Sequence, residues 1–170
     1  MSAPVCRTYI GLGSNLDDPA GHVRQAFVAL DELPDTRLVG RSRLYRNPPM
    51  GPQDQPDYVN AVCALDTTLA AAVLLEALHS VERAQGRVRD GRRWGPRTLD
   101  LDLLVYGKLE IARPGLHVPH PGIAERAFVL VPLAEIAPAL DIPGLGPVTA
   151  LLDAIDRTSV VPLDEPEAEP

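Results

Sequence analysis

Arg87-Val88-Arg89-Asp90-Gly91-Arg92-Arg93-Trp94-Gly95-Pro96-Arg97-Thr98-Leu99-Asp100-Leu101-Asp102-Leu103-Leu104 is a loop that feeds a β-strand. From Thr98 onward, Leu99, Leu101 and Leu103 alternate with Asp100 and Asp102. Successive side chains of a strand leave on opposite faces, so the leucines enter a core while both carboxylates share the other face. Their Cβ atoms then lie about 7 Å apart, twice the strand rise of about 3.3 Å. That separation suits hard divalent cations, which take oxygen ligands and use one or two carboxylates together with substrate phosphates. Mg²⁺ is the expected ion, with Asp100 and Asp102 as its ligands.

Upstream of the strand, Gly91, Gly95 and Pro96 break any helix or strand, so the arginines ride on a loop that can move over a ligand. Guanidinium groups bind phosphate oxygens in bidentate fashion. Asp-x-Asp by itself is also the pattern of a solvated strand face. What sets this one apart is five arginines within residues 87–97 of a 170-residue chain whose net charge is −7. An acidic chain with a pI near 5.0 opposes general nucleic-acid binding, which needs a basic face. Aromatic residues make up 4% of the chain and no aromatic RNA-binding strand is visible, which disfavours RNA as well. The local positive charge points to a small polyanion.

Along the chain, Val5 to Leu12 is a β-rich run, and Gly11, Gly13, Ser14 and Asn15 mark a turn into a helix. Asp18 is its expected N-cap and Pro19 its first residue, with Val23, Ala26, Phe27, Leu30 and Leu33 at helical spacing. Leu38 to Arg46 reads as a second strand, residues 47–57 as a stiff proline loop, and Tyr58 to Leu65 as a third strand. Asn60 is the odd polar residue of that strand. Thr68 is the expected cap of a second helix running to Gln85, stopped by Gly86, with His79 and Glu82 three apart on one face. The order strand-helix-strand-strand-helix-strand predicts a ferredoxin-like α+β sandwich: a βαββαβ antiparallel sheet with both long helices on one face and the site on the helix-free one. Phe128 to Ala137 and Val148 to Ile155 are expected to add short C-terminal helices.

Residues 1–160 are expected to form a single catalytic domain, followed by an acidic, proline-rich tail over 161–170 whose composition does not support order. Cys6 and Cys63 lack metal or redox spacing and read as reduced core residues. There is no apolar segment of signal-peptide type, and the run Leu69 to Leu75 is too short to span a bilayer, so a cytoplasmic monomer is expected.

Several spaced motifs, taken together, carry a resemblance. Arg93 to Leu104 is joined in one order by Gly11-Leu12-Gly13-Ser14-Asn15-Leu16, Pro48-Pro49-Met50-Gly51-Pro52-Gln53, Tyr58-Val59-Asn60-Ala61 and Val118-Pro119-His120-Pro121. From about Tyr9 to Pro138 the chain resembles the 6-hydroxymethyl-7,8-dihydropterin pyrophosphokinases of folate biosynthesis. The resemblance implies transfer of pyrophosphate from ATP to the pterin hydroxymethyl group, with release of AMP and two Mg²⁺ ions on Asp100 and Asp102. It implies that Arg87 and Arg97 follow the transferred group, and that His79, Glu82, Arg89, Trp94, Leu103, His120 and Arg126 hold the nucleotide. It also implies a pterin pocket of Asn47, Pro48, Met50, Tyr58, Asn60, Trp94 and Phe128, in which the Asn60 amide offers donor and acceptor in one plane. The implied partners are these small molecules, with no nucleic acid and no membrane. His79, Gly115 and Pro121 depart from common family usage. A metal-dependent phosphohydrolase, a nucleotide- or RNA-binding module and a non-catalytic family member compete with this reading.

Overall fold

The computed structural model describes residues 4–16, 18–49, 55–86 and 98–163. In chain order it forms Cys6–Ser14 (β1), Pro19–Asp31 (α1), Thr36–Arg41 (β2), Tyr45–Asn47 (β3), Tyr58–Thr67 (β4), Ala71–Ala84 (α2) and Asp100–Tyr106 (β5). Then come Ile111–Arg113 (β6), Leu116–Val118 (β7), a 3-10 turn at Ile123–Glu125, Ala127–Ile136 (α3), Asp141–Ile142 (β8), Gly146–Pro147 (β9), Val148–Asp153 (α4) and Val161–Pro162 (β10). The main sheet runs β10-β3-β4-β1-β5, with β2 continuing alongside β4. Every pairing in it is antiparallel. This is the α+β ferredoxin-like arrangement that the element order predicts. β1 is buried along its last seven residues because it has a partner strand on each side.

Local chemistry decides the element ends. At α1, Asp18 is the N-cap and its Oδ1 accepts the Gly21 N–H at 3.3 Å, with Pro19 leading the helix. The expected Thr68 cap of α2 is not formed. β4 instead runs through Thr67, whose hydroxyl bonds the Thr36 hydroxyl at 2.7 Å and accepts the Leu69 N–H at 3.0 Å, so the helix starts at Ala71 without a side-chain cap. Its other end stops as expected, since Gly86 takes φ +89°, a left-handed conformation that glycine adopts without a Cβ penalty.

The strand expected over 38–46 is two strands. Ser42 breaks it: its Oγ accepts the Val62 N–H at 3.0 Å and donates to the Arg43 carbonyl at 2.7 Å. A side chain thus stands where the strand backbone would have paired, and the chain turns before resuming as β3.

Phe27, Leu30, Leu74 and Leu78 of α1 and α2 pack on Ile10, Leu12, Cys63, Leu65, Leu101 and Leu103, one face of the sheet. Cys63 is fully buried there, and burial pushes its thiol up, which keeps it protonated. The opposite face is not helix-free. Leu130 and Leu133 of α3 and Val148 of α4 cover Tyr9, Val62, Ala64, Leu104 and Val105. Glu135 pins α3 to the sheet by accepting the Arg43 N–H at 3.0 Å and the Tyr45 hydroxyl. Among the described residues, no helix covers the half of this face near the end of β1 and the start of β5. At the sheet's other margin β10 pairs with β3 and the Leu163 N–H donates to Leu44 O at 2.9 Å, so ordered pairing continues past residue 160; residues 164–170 lie outside the described residues.

Ser42→Ala removes the acceptor of the buried Val62 N–H. It is expected to lower the unfolding free energy by about 1–3 kcal/mol, the cost of an unsatisfied buried donor, as measured by urea denaturation. A midpoint unchanged from that of the unsubstituted protein would contradict this account of the break.

Candidate active site

The open half of the sheet has a floor without side chains. Register places Gly13 between Asn60 of β4 and Asp100 of β5, and Gly11 between Val62 and Asp102. With strands about 4.8 Å apart, Asn60 and Asp100 stand on opposite banks roughly 10 Å apart. A Cβ on Gly13 would lie 2.7 Å from Asn60 Oδ1, so no other residue fits while that amide keeps its place. The cleft above has a volume of about 470 Å³. Arg126 and Phe128 wall it from the start of α3, His117 and His120 from β7 and the turn after it, and Leu75 and His79 from α2, around the β5 edge.

The first bank is built of amides. Asn60 and Asn47, both 5% exposed, are joined by a bond from Asn60 Nδ2 to Asn47 Oδ1, and Asn47 Nδ2 donates to the Pro48 carbonyl at 3.0 Å. Using the NH₂ of Asn60 in this way turns its Oδ1 over the glycine floor as an acceptor. Tyr58 lines the same bank, while the Pro48 side chain is exposed.

On the second bank are the carboxylates. Asp100 and Asp102 face the cleft and are partly exposed, while Leu101 between them is 3% exposed in the core. His120 Nε2 lies 3.9 Å from Asp102 Oδ1, and Arg126 Nη1 lies 4.0 Å from Asp102 Oδ2. The Gly122 N–H donates to His120 Nδ1 at 3.0 Å, which fixes Nδ1 as acceptor and leaves the ring proton on Nε2, aimed at the cleft. Burial pushes His120 down to about 4, the Arg126 charge adds to this, and the Asp100 charge opposes it. The ring is therefore neutral near pH 7, a donor without charge. The Arg126 guanidinium also lies over the Phe128 ring, 5.9 Å from its centroid.

The structure thus brings together Asn47, Tyr58, Asn60, His79, Asp100, Asp102, Leu103, His120, Arg126 and Phe128 around one cleft. Glu82 does not line the cleft: it is 1% exposed and accepts the Leu101 N–H of the adjoining β5 at 2.8 Å. Met50, Arg87, Arg89, Trp94 and Arg97 lie outside the described residues. Gly11 and Gly13 are not among the expected site residues: the sequence reads them as a turn into a helix, whereas β1 runs on through Ser14 and their spacing of two puts both on one face of it. Among the described residues no group of three or more His, Cys, Asp or Glu gathers, so a metal here would rest on the Asp100 and Asp102 pair.

Residues 9–138 match the family model for 7,8-dihydro-6-hydroxymethylpterin-pyrophosphokinase (HPPK). The chain belongs to the HPPK family. It is 54% identical over 137 residues to the 2-amino-4-hydroxy-6-hydroxymethyldihydropteridine pyrophosphokinase of Pseudomonas aeruginosa, covering 81% of this chain and 84% of that relative. To the enzyme of the same name from Haemophilus influenzae it is 49% identical over 144 residues, 85% of this chain and 89% of the relative. Among solved structures, a Plasmodium falciparum HPPK-DHPS with pterin and p-hydroxybenzoate superposes with a TM-score of 0.70 at 11% identity, a likeness of fold alone. The alignment covers 90% of this chain and 44% of that much longer one. The HPPK match spans both banks of the cleft and the glycine floor between them.

In metal-free protein, NMR titration is expected to find His120 neutral, with its proton on Nε2, from pH 8 down to about 5, and titrating near pH 4. Because this lies below the unfolded value of about 6.5, its stabilisation is full above that value and fades as pH falls through the interval between the two. An imidazolium at pH 6 would contradict the assignment.

Proposed function

We propose that this chain transfers the pyrophosphoryl group of ATP to the hydroxymethyl oxygen of 6-hydroxymethyl-7,8-dihydropterin and releases AMP. The observation that carries the reading is the glycine floor between an amide acceptor and a carboxylate pair. A planar bicyclic ring lies flat on a sheet only where no Cβ stands in its way. There its edge N–H groups meet Asn60 Oδ1, Phe128 offers an aromatic wall, and the substituent at the far end points toward Asp100. The hydroxymethyl oxygen attacks the β-phosphorus, the bond from the α–β bridging oxygen to that phosphorus breaks, the bridging oxygen leaves with AMP, and the hydroxyl proton is released to solvent.

The donor set fits Mg²⁺, since Asp100 and Asp102 are two oxygen ligands on one strand face, partly open to the cleft. Two such ions, bound there with the nucleotide phosphates, would supply charge neutralisation for the transfer. The protein's own groups act around them. Arg126 places a permanent positive charge beside Asp102, and His120 adds a neutral N–H donor; both suit phosphate oxygens. Leu75, His79 and Leu103 line the part of the cleft that wraps the β5 edge and would hold the nucleoside. Arg87 and Arg97 are assigned to the transferred group, Arg89 to the nucleotide, and Trp94 to closing over both ligands so that water is excluded. Pro48 and Met50 complete the pterin pocket. The substrates are small molecules, no helix among the described residues is long and apolar enough to cross a membrane, and the reading needs neither a second subunit nor a location outside the cytoplasm.

Chromatography of the nucleotide products tests this directly. AMP should appear with Mg²⁺, ATP and pterin, and not when the pterin is left out; ADP would indicate an ordinary kinase, and ATP loss without pterin a hydrolase. Asp100→Ala and Asp102→Ala are each expected to reduce kcat by at least about 100-fold, the scale of losing an electrostatic contact to the transition state, with the thermal transition retained. Gly13→Ala pushes against Asn60 Oδ1 and should weaken pterin binding by about tenfold or more, roughly 1.4 kcal/mol, in a calorimetric titration while ATP binding changes little. Equal pterin affinity in that variant would remove the glycine floor from the reading.

A further inference from the structure

Among the described residues β5 is an edge strand: β1 lies on one side of it, and the main sheet ends there on the other. The backbone donors on its outer side therefore need partners from outside the ladder. For Leu101, which sits between the two carboxylates, that partner is Glu82, whose Oε2 accepts the N–H at 2.8 Å. Glu82 lies near the end of α2 and is 1% exposed, and its neighbours Leu78 and Val81 are packed into the core. A carboxyl group so deeply buried is tolerated only when hydrogen-bonded, and its oxygen here has the Leu101 N–H as a donor. Leu101 is consequently gripped three ways: its side chain by the core, its strand by Leu12 of β1, and its N–H by Glu82.

We infer that Glu82 is a positioning residue for the proposed transfer, acting through the Leu101 N–H to fix the spacing and outward direction of the Asp100 and Asp102 side chains. The inference rests on the pyrophosphoryl-transfer reading for its functional consequence, though not for the contact itself. The two carboxylates leave the strand on either side of Leu101, so a rotation of that one peptide unit changes the direction of both. Outer-shell partners of this kind affect metal affinity or activity by about 10- to 100-fold when removed.

Two substitutions separate the roles. Glu82→Gln keeps an oxygen acceptor at the same reach, and Glu82→Met keeps the bulk without one. In ligand-free protein, hydrogen exchange at the Leu101 amide should be slow in the unsubstituted protein and in Glu82→Gln, and at least about tenfold faster in Glu82→Met. In turnover, Glu82→Met should raise the Mg²⁺ concentration needed for half-maximal rate and lower kcat by about 10- to 100-fold, with the pterin KM unchanged because Asn47 and Asn60 stand on other strands. Glu82→Gln should recover most of both losses. Slow Leu101 exchange and an unchanged Mg²⁺ dependence in Glu82→Met would overturn the inference. So would a Glu82→Gln variant as impaired as Glu82→Met, since charge rather than the acceptor would then be at work. If Glu82→Met does not fold, Glu82→Gln decides alone: retained Leu101 protection with Mg²⁺ dependence near that of the unsubstituted protein supports the inference, and loss of either overturns it. Failure of the unsubstituted protein to form AMP strikes the transfer reading instead and leaves the exchange result standing.

Discussion

Were β1 to slip by one residue against β4, Leu12 would come to stand under Asn60 and Gly13 would turn toward the helical layer. The same slip against β5 would put Leu12 between the amide bank and the carboxylates. The site depends on this one antiparallel register, because its floor is defined by where β1 has no side chains. What holds the register is the opposite face. Ile10 and Leu12 are at most 2% exposed beneath α1 and α2, so a one-residue slip takes two large apolar side chains out of that layer and puts glycines in their place. At about 1.5–3 kcal/mol for each buried aliphatic side chain, the hydrophobic layer on one face locks the geometry of the polar face.

Much of this was legible in the residues. Alternation told correctly which side of β5 carries Asp100 and Asp102, since a period of two has only one solution once the leucines must be buried. The cap at Asp18 and the stop at Gly86 were equally readable, because both are local backbone chemistry. The break at Ser42 was not, as it depends on a hydroxyl meeting Val62 twenty residues away. Nor was the shift of the α2 start from Thr68 to Ala71, where Thr67 is drawn into the strand by Thr36. Coverage of the second face by α3 rests on Glu135 meeting Arg43 and Tyr45 some ninety positions earlier, a contact no periodicity encodes. For the floor, Gly11 and Gly13 carry no functional group to attract notice; their contribution is the space they leave.

The two banks differ in how firmly they are built, and the difference follows from their strands. Asn60 belongs to β4, which is hydrogen-bonded on both sides, and its amide is already tied to Asn47. A recognition group there keeps its orientation without a ligand, so little ordering entropy is lost on binding. Asp100 and Asp102 belong to the edge, where their side chains are partly open to solvent but where, among the described residues, the strand is paired with β1 alone. Access and rigidity oppose each other at an edge, and a buried acceptor on the outer N–H reconciles them.

Charge follows the same spatial logic. A net charge of −7 repels a polyanionic nucleotide at long range, yet at physiological ionic strength that field decays over about 8 Å. Within that distance the local groups dominate, and among the described residues those beside Asp102 include Arg126, permanently charged, and His120, held neutral by burial. Were His120 charged instead, it would form a closer ion pair with Asp102 and compete with any cation for that carboxylate. Kept neutral, the imidazole presents an N–H toward the cleft without adding charge beside Asp102. Burying this histidine therefore leaves Arg126, among the described residues, as the permanent positive charge beside Asp102.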